Sequence, residues 1–208
     1  MNTINTTKTA GRHFVSLSGR KIDLLDPKAS DITIHDICVG MATTNRWAGQ
    51  TPLDKEPISC ATHSLYVLDY IAQHYPDSLQ QFPNLALSAL LHDAHKAYMG
   101  QQPAAFANAL SHKTPVPDQI RNALKKAIFT SFDLIYPVPT YLQKVITEAE
   151  NNITAIEIRD FNIPIASTVE PKNYSIPQIG RMEAYDTFLN MMVHFLPVDY
   201  AAKKVACA

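Results

Sequence analysis

Asn84-Leu85-Ala86-Leu87-Ser88-Ala89-Leu90-Leu91-His92-Asp93-Ala94-His95-Lys96-Ala97-Tyr98 is the stretch from which the rest of the chain is read. It follows Pro83 and stops at Gly100, which are start and stop signals for a helix. Before His92 it is apolar on nearly every side, so it predicts a helix at the centre of the molecule. A carboxylate at the end of a buried helix is costly unless something positive compensates it, and a divalent cation is the strongest such partner.

Outward from this helix, most of the chain reads as helical. Ser59 to Tyr75 predicts a helix that stops before Pro76, and Ser30-Asp31 precedes another carrying Ile32, Ile34, Ile37 and Met41. Further helices are expected at about 117–132, 139–160 and 178–196, the last two separated by a loop containing Pro164, Pro171 and Pro177. Near the start, His13 to Leu17 and Arg20 to Leu24 flank Ser18-Gly19, the pattern of a small β-hairpin. The expected class is all-α with a short N-terminal hairpin: a flexible segment over 1–12, then one domain over 13–208.

Composition narrows the function. The chain has 208 residues, formal charge −1, 46% hydrophobic and 18% charged residues, which excludes disorder and gives no basic stripe for long nucleic acid. No apolar run approaches a membrane span, and the Thr/Asn-rich start lacks the apolar stretch of a secretory signal. Cys38, Cys60 and Cys207 are scattered and form no CxxC, as expected of a reduced, cytoplasmic protein. No membrane partner is expected.

Two His-Asp pairs occur, His35-Asp36 and His92-Asp93, where chance supplies about 0.5, so the dipeptide alone decides little. His35-Asp36 lies in the first turns of an ordinary amphipathic helix and reads as a solvated or capping face. His63 shares a helix side with Tyr66, Val67 and Tyr70, which carries it inward either as a ligand or as a satisfied core histidine. In 139–160 the buried stripe is Leu142, Ile146, Ala149, Ile153 and Ile156. At about 100° per residue, Glu150 lies about 80° from Leu142 and Glu157 about 60° from it, both on the stripe's shoulder, while Glu148 falls on the other side. Glu150 is thus a candidate ligand, unless it and Glu157 are boundary residues paired with Lys or Arg.

His63, then His92-Asp93, then an acid in a late helix resembles the H…HD…D signature of HD-domain metal-dependent phosphohydrolases. Asn45-Arg46-Trp47 is similar to the NRW segment of bacterial 5′-deoxyribonucleotidases of that superfamily. Leu17 to Arg20, Asp31 to Ile37, Leu90 to His95 and Ile156 to Asp160 resemble the compact phage-type HD deoxynucleotide hydrolases. The resemblance implies an HD helical bundle with His63, His92, Asp93 and Glu150 as metal ligands for Zn, Co, Mn or Fe, with Mg also conceivable. It implies a small-molecule nucleotide substrate, mono- or triphosphate, and an assembly of dimers or larger rings. Arg46 would hold phosphate through its planar fork. Trp47 would wall the sugar or base, unless it is a core anchor.

Four positions depart from that pattern. Lys96 stands where an acidic acid/base residue is usual, and a lysine beside a dication should lose its proton more readily or swing to substrate phosphate. Gly100-Gln101 replaces Gly-Asp, Ala107 stands where a lysine is usual although Pro103 is kept, and Glu150 replaces Asp. His95 and Asp93 are then the expected catalytic residues, His95 relaying a proton near pH 7 or serving as a hydrogen-bond partner of a ligand. The alternative is a catalytically degenerate HD module that binds a nucleotide or a protein partner.

Overall fold

A computed structural model describes residues 12–196; the segments 1–11 and 197–208, and with them Cys207 and nearly all of the expected flexible terminus, lie outside the described residues. Arg12, the last residue of that terminus, is tied to the chain by an ion pair with Asp23 at 2.5 Å. The architecture is mostly helical with one antiparallel hairpin, the expected class. Strands β1 (His13–Val15) and β2 (Lys21–Asp23) pair with Phe14 opposite Ile22. Gly19 makes the turn at φ 80°, a conformation only glycine adopts without strain. Ile22 is fully buried, and Phe14 meets Tyr98 edge-on at 5.7 Å, so the hairpin seals one end of the helical core.

Helices follow as α1 (Ile34–Thr43), α2 (Cys60–His74), α3 (Pro76–Gln81), α4 (Asn84–Leu91), α5 (Lys96–Met99), α6 (Ala104–Ser111), α7 (Val116–Ser131), α8 (Thr140–Asp160) and α9 (Arg181–Phe195). The first begins at Thr33, later than the expected Ser30-Asp31, because Ala29–Asp31 forms a separate 3-10 turn. Helices α3 and α6 are short and were not expected as separate elements. Among the described residues no helix is long and apolar enough to cross a membrane.

Every residue of α4 from Leu85 to Leu91 is buried, as an all-round apolar helix requires. Leu85 and Ala89 pack with Tyr70, Leu142 and Ile146 of α2 and α8, while Ala86, Leu90 and Leu91 join the larger cluster that holds Ile37, Ile128 and Phe188. The single helix expected to run from Asn84 to Tyr98 is instead two. After Leu91 the ladder tightens to three-residue bonds, Ala94 N–H to the Leu91 carbonyl at 3.0 Å and Lys96 N–H to that of Asp93 at 2.9 Å. The chain re-enters a helix only at Lys96. His92, Asp93 and His95 therefore sit, all three buried, on a tight turn at the end of a buried rod.

Candidate metal centre

Three elements bring the site together. Ser59 caps α2, its hydroxyl accepting from the Thr62 amide at 3.0 Å, and this fixes the first turn that carries His63. The turn after α4 supplies His92 and Asp93. Helix α8 supplies Glu150 and, seven residues on, Glu157, about 10 Å further along the axis. One ligand atom each from His63, His92, Asp93 and Glu150 lies within 4.8 Å of all the others. Ligands opposite one another at bond lengths of about 2.1 Å stand roughly 4.2 Å apart, so the cluster has the dimensions of a slightly open cation site. The first three are buried and Glu150 is half-buried, while Glu148 is exposed.

The ring nitrogens show how the site is poised. His63 is fully buried, and its Nδ1 lies 2.7 Å from Glu157 Oε1. His92 Nδ1 lies 2.6 Å from the Ala89 carbonyl. Carboxylate and carbonyl oxygens only accept, so Nδ1 carries a proton in both rings, and in a neutral ring this leaves Nε2 with a lone pair. Neither Nε2 makes a hydrogen bond, and His92 Nε2 lies 3.5 Å from Asp93 Oδ2. Burial pushes the His63 pKa down and Arg46 pushes the same way, against Glu157, so the ring stays neutral at pH 7. A buried acceptor left unsatisfied costs roughly 1–3 kcal/mol, and here two belong to one cluster.

Asp93 has charged company. Burial works against its ionisation, but Lys96 and the histidines around it outweigh burial and hold its carboxyl well below the usual range. Lys96 Nζ donates to Asp93 Oδ2 at 2.5 Å, and Arg46 Nη1 lies 3.8 Å from the same oxygen. In the tightened turn Lys96 faces Asp93, three residues back, more directly than His92.

The loop between α1 and α2 is closed at its base by Arg46 N–H to the Ile58 carbonyl and Cys60 N–H to the Thr44 carbonyl, each 2.8 Å. Trp47 and Ala48 both adopt positive φ, 57° and 52°, unusual for residues with side chains. That kink drives Arg46 and Trp47 onto α8. Arg46 is 7% exposed; its Nε donates to Glu157 Oε2 at 2.7 Å and its Nη2 to Thr154 at 3.3 Å. The expected free phosphate fork is thus committed along one edge to protein oxygens, because Glu157 is fully buried and needs a cation. Trp47 Nε1 donates to the same Glu157 oxygen at 3.1 Å, and its ring packs with Ile58, Phe161 and Ile163. This is the core-anchor arrangement.

Glu157 is the residue whose weight sequence reasoning missed. It reads as a shoulder residue that could pair with Lys or Arg at the boundary; it has an Arg partner, but lies at 0% exposure and orients His63, Arg46 and Trp47 together. The signal is its position four residues after Ile153 and next to Ile156 on the buried stripe. His95 is buried beside the cluster; burial pushes its pKa down to about 3, with Lys125, Lys96 and Arg121 acting the same way and Asp93 opposing.

No family model matches the chain. Over 141 residues it is 35% identical to an uncharacterised protein of Rhodobacter capsulatus, a match that covers 68% of this chain and 68% of the other.

Proposed function

We propose that this chain, which belongs to the same family as that Rhodobacter capsulatus protein, is a metal-dependent phosphohydrolase of HD-domain type acting on a nucleotide. One observation carries the reading: two buried imidazoles whose Nε2 atoms make no hydrogen bond share a cluster with Asp93 and Glu150. Two nitrogens and two carboxylates suit Zn, Co, Mn or Fe better than Mg, which prefers oxygen and water. Such an ion, when bound, supplies a nucleophile at neutral pH and offsets charge at phosphorus.

The chain's own residues do the rest. Glu157 holds His63 in the required tautomer, and the Ala89 carbonyl does the same for His92. Arg46 holds Glu157 ionised in a water-poor interior. Lys96 is free to leave Asp93 for a phosphate oxygen once a cation shares that carboxylate. Hydrolysis then joins a water oxygen to phosphorus as the ester or anhydride oxygen departs, and the water's proton ends on that oxygen. A nucleotide substrate places the activity in the cytoplasm.

The test is metal analysis of full-length protein purified without chelators, followed by phosphate release from nucleoside mono- and triphosphates with Mn or Co added. About one ion per chain with turnover supports the reading. No ion, with a melting temperature unmoved by added metal, sinks it. A second reading, the non-catalytic HD module, is favoured by the Lys96 ammonium on Asp93, a protein cation where the enzyme needs a metal. An ion bound with no turnover of any panel member selects it.

A further inference from the structure

Beside the metal ligands opens a cleft of about 310 Å³ with Asp93 on its wall. Lys96 of α5 and Arg121 and Lys125 of α7 also line it. Arg121 and Lys125 are four residues apart, so two cations share one helix face, an arrangement that is unfavourable without an anion between them. Arg121 has a partner, Asp118 at 2.7 Å. Lys125 has no hydrogen bond or ion pair among the described residues. Burial pushes its pKa below the ordinary lysine range, with Lys96 and Arg121 acting the same way and Asp93 and Glu150 opposing. His95, 5% exposed, lines the same cleft, and its Nδ1 has no partner. The remaining wall combines the amides Gln101, Gln102 and Asn108 with Met99 and small residues, and carries no Phe, Tyr or Trp.

We infer that this cleft is an anion subsite for the phosphates next to the scissile one, so that the ligand is a nucleoside di- or triphosphate and not a monophosphate. The inference rests on the reading that the four-residue cluster holds the cation that meets the scissile phosphate. A monophosphate ends at that phosphate and would leave its sugar or base for the cleft. Bases are held by stacking on aromatic rings or broad apolar walls, and this wall offers three cations and three amides with no Phe, Tyr or Trp. Asp93 is the one acid among the described lining residues, and it and Glu150, the two carboxylates that act on Lys125, are both already assigned to the metal set. A nucleic-acid strand would need cations spread in a stripe, whereas these converge in one recess.

Calorimetry on the full-length, metal-free chain with inorganic tripolyphosphate and orthophosphate tests this directly. Tripolyphosphate is expected to bind at least about tenfold more tightly than orthophosphate, with Lys125→Gln and Arg121→Gln each weakening it by about tenfold, one charge-assisted contact. Metal uptake by both variants should match the parent chain, which also shows that they fold. Equal affinity for the two anions, or Lys125→Gln titrating like the parent, overturns the subsite. Should Lys125→Gln not fold, Arg121→Gln carries the same test from a side chain 32% exposed. Because the anions are titrated without metal, this result is independent of the metal-uptake result on which the phosphohydrolase reading stands.

Discussion

At the start of α1, the Asp36 carboxylate and amide and the His35 Nδ1 are at work on the fold. Asp36 accepts from the Ser18 amide at 3.0 Å and from the hydroxyls of Ser18 and Thr33 at 2.6 and 2.8 Å, while its own amide donates to Thr33 at 3.0 Å. His35 Nδ1 is 3.0 Å from the Tyr185 hydroxyl. Past the end of α4, the same dipeptide leaves His92 Nε2 with no hydrogen bond and surrounds Asp93 with Lys96, Arg46 and His92. Both acids are about 5% exposed, so burial does not separate the two pairs. The deficit does: Asp36 is spent on the helix start, while beside Asp93 a buried ring nitrogen of His92 makes no hydrogen bond, as the proposed cation site requires.

The largest effect should fall on one pair only. His92→Ala or Asp93→Ala is expected to take bound metal from about one ion per chain to none and phosphate release down by roughly 10³-fold or more. His35→Ala should leave metal content unchanged. Metal analysis of the three variants side by side decides it, and equal loss in His35→Ala would erase the contrast between the pairs.

Glu157→Gln reaches the second pair's environment from one step back. It leaves Arg46 buried without its counter-charge, a loss of about 3–5 kcal/mol in a denaturant titration. It also removes the carboxylate that orients His63, and outer-shell losses of this kind cost about 10–100-fold in metal affinity. A metal Kd equal to the parent's, alongside the stability loss, would confine Glu157 to the scaffold.

Gly40→Ala joins the two regions physically. A Cβ there would stand 2.5 to 2.8 Å from Ala97 backbone and side-chain atoms, so α1 rests directly on α5. Helix α1 carries His35-Asp36, and α5 follows the turn that carries His92-Asp93. Overpacking of this kind costs about 1–3 kcal/mol, read as a lowered melting temperature, and the displaced α5 should weaken metal binding as well. Unchanged metal affinity at reduced stability would show that the two regions are packed together but uncoupled.

What was legible beforehand followed local rules. Ser59, Pro76, Pro83 and Gly100 bound their helices where capping chemistry says they should, and Glu150 separates from Glu148 by helical angle alone. The break after Leu91 was not legible, because nothing in His92-Asp93-Ala94-His95 forbids an α-helix; packing of Ala97 on Gly40 accompanies the tighter turn. Nor was the depth of Glu157, which depends on a loop 110 residues earlier folding back through two left-handed residues. Arg121 and Lys125 read as an ordinary charged helix face, and only the tertiary fold turns that face onto Asp93.

The smallest effect tests the first pair by pH. Burial works against ionisation of Asp36, but the Ser18 and Thr33 hydroxyls and the Ser18 amide outweigh it and hold its pKa below the ordinary value of 3.8. A carboxyl whose folded pKa is depressed stabilises the fold above its unfolded pKa and loses that contribution as pH falls through the folded value. Asp36→Asn should therefore melt below the parent chain at pH 7, by an amount set by about 1 kcal/mol of lost capping. The gap should start to narrow as pH drops below about 4 and close once pH lies below the depressed folded pKa, where both chains carry a neutral group. Metal content should not change at pH 7, since Asp36 is spent on the helix start and the hairpin. A gap that persists undiminished into acid would mean that shape, not charge, is what Asp36 supplies, and the first pair would then owe its silence to packing.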